Sequence, residues 1–303
     1  MNIRNNFCWS LEKGDLLPVL LMTPAMLLIA GVMVMPLGFG FFLSFFDFSF
    51  GGFSILDDFA GLQNYARILG DATARRSILN TLLFSAGAIT LEFVIGTIIA
   101  VLLFHLSRLA GALIRPLITI PLLISPIVVG LIWRYIYDPQ GILYWFLGLF
   151  GLSIAHFPGV TAASTALLST VIAHSWEVVP FVVIVLTAGL VSIPTELYEA
   201  AYMDGAGEFN IFWRITFPLL KDVYMVLLLI SGVDTIKIFD IIYSLTGGGP
   251  NNSTISISMY AFNQAFMQTN MSYAMTLSVF ALVVTFAVFG IPFVRRNRVR
   301  SHG

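Results

Sequence analysis

The chain has 303 residues, 58% of them hydrophobic and only 10% charged, with mean hydropathy +0.92. A water-soluble domain carries roughly 25% charged residues, so this composition excludes a soluble domain and predicts an all-α, polytopic membrane protein. The formal net charge of −1 argues against a nucleic-acid partner, which calls for a basic field.

In chain order, residues 1–15 form a polar N-terminal segment with Arg4, Glu12, Lys13 and Asp15. An apolar run from 16 to about 46 follows. The apolar core of a signal peptide is only about 7 to 15 residues long, so this run reads as a span retained in the membrane. Pro24 and Pro36 are expected to kink it, because neighbouring helices can satisfy the carbonyls they free. Residues 47–77 are a polar connection with Asp57, Asp58, Arg67, Asp71, Arg75 and Arg76. Within it Leu62, Tyr65, Ile68 and Leu69 recur at helical spacing and predict a short surface helix. A second span covers 78–105, entered at Asn80 and Thr81, and a third covers 112–137. Pro116, Pro121 and Pro126 exclude a straight helix through that third span. The connection 138–165 lacks lysine and arginine, and its apolar part, 142–152, is too short to cross. Further spans are expected at 166–190, 218–242 and 273–294, before a basic tail at 295–303. Six spans of this length each bridge a hydrocarbon core of roughly 30 Å, so 16–294 reads as one transmembrane domain.

The stretch 192–218 is different in kind. Ile193-Pro194 opens it, proline being suited to the first turn of a helix, and Glu196 and Glu199 lie near that N-terminus, where they complement the dipole. Ala200 and Ala201 leave little side-chain bulk, Gly205 and Gly207 permit a turn with positive φ, and Phe209, Phe212 and Trp213 mark a second short helix. Pro218 is read as restarting the chain into the next span. The result is a helix-turn-helix on one membrane surface, open to close approach by another protein.

This stretch resembles the EAA loop of ABC-importer permeases. Glu199, Ala200 and Ala201 are followed after three residues by Gly205, after nine more by Ile215, and then by Pro218. Phe217 stands where the pattern prefers leucine, and Asp204-Gly205-Ala206 resembles the step of the carbohydrate branch. GLQNYARIL at 61–69, WRYIYDPQG at 133–141 and LTGGGPNNST at 245–254 resemble stretches of sugar and glycerol-phosphate permeases. One departure is Tyr144, where the family usually has asparagine. The resemblance implies that Glu199, Ala200, Ala201, Asp204, Gly205, Ile215 and Pro218 dock a cytoplasmic ABC ATPase dimer. It implies a second homologous permease chain, an extracytoplasmic solute-binding protein, a sugar-like solute, and alternating access in the lipid bilayer of a bacterial inner membrane.

Orientation is predicted by the basic residues. With both termini cytoplasmic, Arg4, Lys13, Arg108, Arg115, Arg214, Lys221, Arg295, Arg296, Arg298 and Arg300 lie inside, against Arg67, Arg75 and Arg76 outside. This puts the Glu199 loop where an ATPase reaches it. The Gly247–Pro250 step forces a turn at the opposite mouth.

Ionisable residues within apolar runs are costly and need a role. They are Glu92, Glu177, Asp234, Lys237 and Asp240. Asp234 and Lys237 are spaced to pair on one helical face, with Asp240 able to share the lysine. Either an internal ion pair or a polar wall of the translocation path accounts for them. Trp176 and Glu177 offer a ring beside an acceptor, suited to a sugar's C–H face and hydroxyls, although tryptophan is also common at membrane interfaces. Asn263 and Gln264 are weaker candidates for the same path. A proton-coupled secondary carrier using Glu92 or Glu177 is the alternative reading. The chain has three lysines and no Gly-Lys step, hence no Walker cradle. ATP and Mg are therefore expected to act on a separate subunit, with no cofactor and no catalytic constellation here. Cys8 stands alone, and His105, His156, His174 and His302 lack the spacing of a local metal motif.

Overall fold

The computed structural model describes residues 16–48, 58–106, 108–152 and 157–290. The N-terminal segment, Cys8, Asp57, His156, His302 and the basic tail lie outside the described residues. Those residues are helical apart from connections and one isolated bridge between Phe46 and Phe59. Helix α1 spans Val19–Leu43, α2 Gln63–Gly70 and α3 Ala72–His105. Helices α4 (Arg108–Thr119) and α5 (Pro126–Ile136) follow, then α6 (Ile142–Gly148) and α7 (Ala166–Val191). Next come α8 (Thr195–Met203), α9 (Glu208–Ile236), α10 (Asp240–Leu245), α11 (Ile257–Phe262) and α12 (Met271–Gly290).

Five of these helices, α1, α3, α7, α9 and α12, are long and apolar enough to cross a membrane. A sixth crossing exists if the bent pair Ala110–Leu123 and Pro126–Ile136, which meet at 99°, is one span. The three prolines explain the bend. Pro116 lies inside the first arm, Pro121 in a 3₁₀ turn at its end, and Pro126 starts the second arm.

Two expected breaks are absorbed instead. In α1 a π turn at Ala30–Val34 ends two residues before Pro36, and Met35 N–H reaches the carbonyl of Ala30. In α9 a π turn at Phe212–Thr216 ends two residues before Pro218, and Phe217 N–H reaches Phe212. A widened turn re-pairs the backbone that a proline disturbs. Pro218 therefore does not restart the chain, and the expected second short helix is the first part of α9. The fifth span runs from Glu208 to Ile236 rather than from 218 to 242. Lys237 and Phe239 leave helical geometry before α10.

The second span begins at Ala72, earlier than expected, because Asp71 caps it: Oδ1 accepts from Thr73 N–H at 2.8 Å and Ala74 N–H at 3.2 Å. Small residues draw α3 and α7 together. Ala88, Ala100 and Ala173 are fully buried, and a Cβ on Gly96 would lie 2.6 Å from Val182 Cγ1. Close backbone approach of this kind is how helices associate where lipid removes the hydrophobic incentive. One apolar cluster gathers Ile68, Phe84, Val129, Ile241, Ile257 and Leu277 at the Asp71 end of α3. Another gathers Ala100, Leu103, Val182, Leu186, Leu190 and Leu220 towards its His105 end.

The uncharged polar stretch 245–272, expected as an outer connection between the last two spans, contains α11 and a π turn continuing it over Asn263–Met267. It is packed inside, with Ile255, Ile257, Met259 and Ala261 buried. The short helix α2 forms as expected but turns Asn64 and Ile68 inward and leaves Leu62 and Leu69 exposed.

Candidate coupling site and translocation path

The helix-turn-helix is built from α8 and the start of α9. Pro194 has extended backbone (φ −57°, ψ 130°), and Glu196 sits in the first turn of α8. Met203 ends α8, and Gly205 turns the chain with φ +74°, a region that costs a side chain but not glycine. Glu199, Ala200, Asp204, Gly205 and Pro218 are exposed, while Ala201 and Ile215 are half-buried. The outward face of α8 thus exposes Glu199 and Ala200 together with the large side chain of Met203, which is 87% exposed.

The other side of α8 is fastened to the spans. Tyr198 Oη lies 3.3 Å from Thr216 Oγ1, and its ring packs on Phe104 at 6.1 Å. Tyr202 Oη donates to Glu208 Oε1 at 2.7 Å, which joins the two arms of the turn and pushes the Tyr202 phenol up. Glu208 Oε2 is 3.8 Å from His105 Nε2 at the end of α3, whose Nδ1 lies 2.8 Å from the carbonyl of Val101. Behind these contacts is a cavity of about 280 Å³ lined by Phe104, His105, Tyr198, Tyr202, Glu208 and Phe212 among others. None of these fastenings involves the residues of the motif itself.

Glu177 is 8% exposed on α7, within electrostatic reach of His174, Asp234 and Asp240. Trp176, on the same helix, is partly exposed and meets Trp133 edge-on at 6.0 Å. Lys237 Nζ pairs with Asp234 Oδ1 at 3.1 Å, and both side chains are exposed. No ion pair joins Asp240 to Lys237 among the described residues, since Asp240 begins α10 instead. Asn263 is half-buried and follows Phe262, whose ring packs on Phe239 at 5.0 Å. The structure therefore brings Glu177, Asp234 and Asp240 into one region and places Asn263 on a separate helix beside it.

Glu92 has a partner that sequence spacing did not reveal. It is 0% exposed, and its Oε1 lies 3.4 Å from Nε2 of His174, itself 3% exposed. The pair lies between α3 and α7, where an unpartnered ionisable group is expensive.

The Asp71 end of α3 holds a second network absent from the sequence reading. Asp71 Oδ2 accepts from Tyr260 Oη at 2.6 Å and Tyr273 Oη at 2.9 Å. Burial pushes the Asp71 carboxyl up, but the donors from Tyr260, Ala74, Tyr273 and Thr73 outweigh it and hold it below the ordinary carboxylate value. Burial, and then the bond to Asp71, pushes the Tyr260 phenol up to about 12. Arg67 lies over the Tyr273 ring at 4.2 Å. Asn80 Nδ2 donates to the carbonyls of Asn252 (2.9 Å) and Ile255 (3.1 Å), and Thr81 Oγ1 accepts from Ile257 N–H at 3.0 Å. These bonds pin the glycine-rich turn. The one local signal was Asp71 just ahead of a helical run.

Residues 92–299 match the family model described as the binding-protein-dependent transport system inner membrane component. The chain is 36% identical over 242 residues to the trehalose/maltose transport system permease protein MalF of Thermococcus litoralis, covering 79% of this chain and 81% of that one. It is 32% identical to the sulfoquinovosyl glycerol transport system permease protein SmoG of Agrobacterium fabrum, covering 93% and 91%. In fold it is similar to a chain of a bacterial ABC transporter involved in the import of alginate, with TM-score 0.81, 21% identity, and 96% and 99% of the chains covered. The proton-coupled carrier is not favoured by these similarities. The chain belongs to the binding-protein-dependent inner membrane components: it is a multi-pass permease of the ABC-importer family, a transporter rather than an enzyme.

Proposed function

We propose that this permease imports a sugar or sugar-like solute, sharing its translocation path with a second homologous permease chain. ATP and Mg act on a separate pair of cytoplasmic ABC ATPase subunits, and this chain carries no cofactor. Both termini lie in the cytoplasm of a bacterial cell, with 1–15 and 295–303 flanking the transmembrane domain 16–294 and its coupling loop 192–218. The bias of basic residues supports that orientation. The relatives named for trehalose, maltose and sulfoquinovosyl glycerol transport support the solute class.

One observation carries the coupling role. The face of α8 bearing Glu199 and Ala200 is exposed, while its back is held to the spans through Tyr198, Tyr202 and Glu208. A surface exposed in front and fastened behind receives a push and passes it on. Glu199, Ala200, Ala201, Asp204 and Gly205 form the docking face, with Ile215 and Pro218 fixing how α8 joins α9. ATP-driven closure moves this element as a lever, and the spans rock between inward-open and outward-open states. Trp176, Glu177, Asp234, Lys237 and Asn263 line the path that the solute follows.

The test is purification of this permease with its neighbours, followed by a sugar panel. An ATP-binding subunit that copurifies, with hydrolysis stimulated by a sugar-loaded binding protein, is the expected result. Sugar accumulation that persists without ATP and collapses with a protonophore would overturn it.

A further inference from the structure

The coupling hairpin meets the His105 end of α3 through Glu208, and the Asp71 end carries a cluster remote from that contact. A helix cap needs one carboxylate oxygen, and Asp71 Oδ1 suffices for Thr73 and Ala74. Oδ2 is left for Tyr260 and Tyr273, which lie 189 and 202 positions further along the chain. Gln264 follows in the π turn that continues α11 beyond Tyr260. Gln264 is 2% exposed, and its Oε1 has no protein partner. The head of α11 is bound to the same span through Ile257 N–H and Thr81 Oγ1.

Apolar packing already holds α11 in place, since Ile257, Met259 and Ala261 are buried around Tyr260. Phenylalanine at 260 or 273 would fill the same space. What the hydroxyls add is a fixed geometry between three helices, the contribution that a satisfied polar network makes beyond packing.

We infer that Asp71 is a positioning residue of the transport cycle. Through Tyr260 and Tyr273 it fastens α11, and with it Asn263 and Gln264, to the end of α3 opposite the coupling hairpin. Helix α3 has 34 residues, about 51 Å at 1.5 Å per residue. It is clamped at one end to the mouth of the path and meets Glu208 of the hairpin at the other. Displacement of the hairpin is carried along α3 and arrives at Asn263 and Gln264 in step. This inference rests on the importer reading of the preceding subsection.

The experiment uses the complete transporter in proteoliposomes, with its own ATPase subunits and binding protein. Trehalose, maltose and sulfoquinovosyl glycerol are supplied in turn, and ATP hydrolysis is measured with and without each. Asp71→Asn separates the two duties, because asparagine caps a helix as well as aspartate does but replaces the oxygen that accepts from both tyrosines with an amide that can only donate to them. The double variant Tyr260→Phe/Tyr273→Phe removes the donors and leaves the cap intact. Both are expected to leave basal hydrolysis unchanged and to cut solute-dependent stimulation by about tenfold, within the usual range of coupling factors. Wild-type stimulation in both variants would overturn the inference. So would loss of basal and stimulated hydrolysis in equal proportion with a lower melting temperature, which marks a role in folding alone. A wild-type complex that none of the three solutes stimulates would count against the importer reading itself, separately from the clamp.

Discussion

Gly205 and Glu208 stand on either side of one turn, yet only Glu208 ties that turn to the rest of the protein. Gly205 has φ +74° and no heavy atom within 4 Å of the position a Cβ would take, whereas Glu208 meets both Tyr202 and His105. The turn is therefore shaped at Gly205 and anchored at Glu208.

From this it follows that side chains at 205 are limited by backbone conformation and not by space. Gly205→Val costs about 1 to 2 kcal/mol of local strain in the left-handed region, and Gly205→Pro cannot adopt it at all. Both variants are expected to insert in the membrane at wild-type levels and to lose solute-stimulated ATP hydrolysis, with proline the more severe. Gly207 has ordinary backbone, φ −77°, and equally open space, so Gly207→Ala serves as the control and retains stimulation. Normal coupling in the proline variant would remove the hairpin from the mechanism.

The interface of α3 and α7 yields a packing prediction. A Cβ at Gly96 would come within 2.6 Å of Val182 Cγ1 and 3.0 Å of its Cβ. Gly96→Val is expected to lower stability by about 1 to 3 kcal/mol, the usual cost of overpacking, read as a lower melting temperature in detergent. Adding Val182→Ala is expected to recover part of that loss, because it removes Cγ1, the nearest clashing atom, and leaves only Cβ at 3.0 Å. A double variant no more stable than the single would mean that α3 and α7 do not meet as described.

How much of this was legible in the sequence depends on distance along the chain. Gly205 and the prolines at 116, 121 and 126 act locally: the glycine turns the chain after α8 and the prolines bend the third apolar run. Pro218 misled because sequence shows the missing N–H but not the π turn at Phe212–Thr216 that absorbs it. Asp71 was visible only as one acid among several in a polar connection. Its meaning comes from Tyr260 and Tyr273, residues that no periodicity links to it. Glu92 was recognised as out of place in an apolar run, and His174 as a single histidine, but nothing local joins positions 82 residues apart. The stretch 245–272 looked like a loop because it carries no charge and opens with glycines, and its burial comes from bonds to Asn80 and Thr81.

The Glu92–His174 pair leads to a prediction about non-additivity. With exposures of 0% and 3%, either side chain left alone is a buried polar group without its partner. Glu92→Leu and His174→Leu are each expected to destabilise by about 1 to 3 kcal/mol, the cost of one buried polar group left alone, while the double variant costs less than the sum. Thermal unfolding of the four proteins in the same detergent measures the coupling. Additive losses would show that the 3.4 Å contact does no more than fill space.

The turn at Gly247–Pro250 gives the last prediction, because one side chain, Asn80, bonds two carbonyls that follow it to α3. Inside the loop, Thr246 Oγ1 lies 2.8 Å from Thr254 Oγ1, and Thr254 Oγ1 also donates to the carbonyl of Gly249 at 2.9 Å. From outside, the bonds from Asn80 Nδ2 to Asn252 and Ile255 tie this closed unit to α3. Asn80 is buried, so Asn80→Leu takes away the donor and leaves two carbonyls to find water, at a cost of about 1 to 3 kcal/mol for each that stays buried and unpaired. The loop relieves that cost by lifting off α3. Amide hydrogen exchange over 246–256 is expected to accelerate, while exchange in the middle of α7, which shares no bond with Asn80, stays as in the wild type. Unchanged protection of 246–256 in the leucine variant would mean that the Thr81 bond and the packing of Ile255 and Ile257 hold the turn, and that the amide of Asn80 is dispensable.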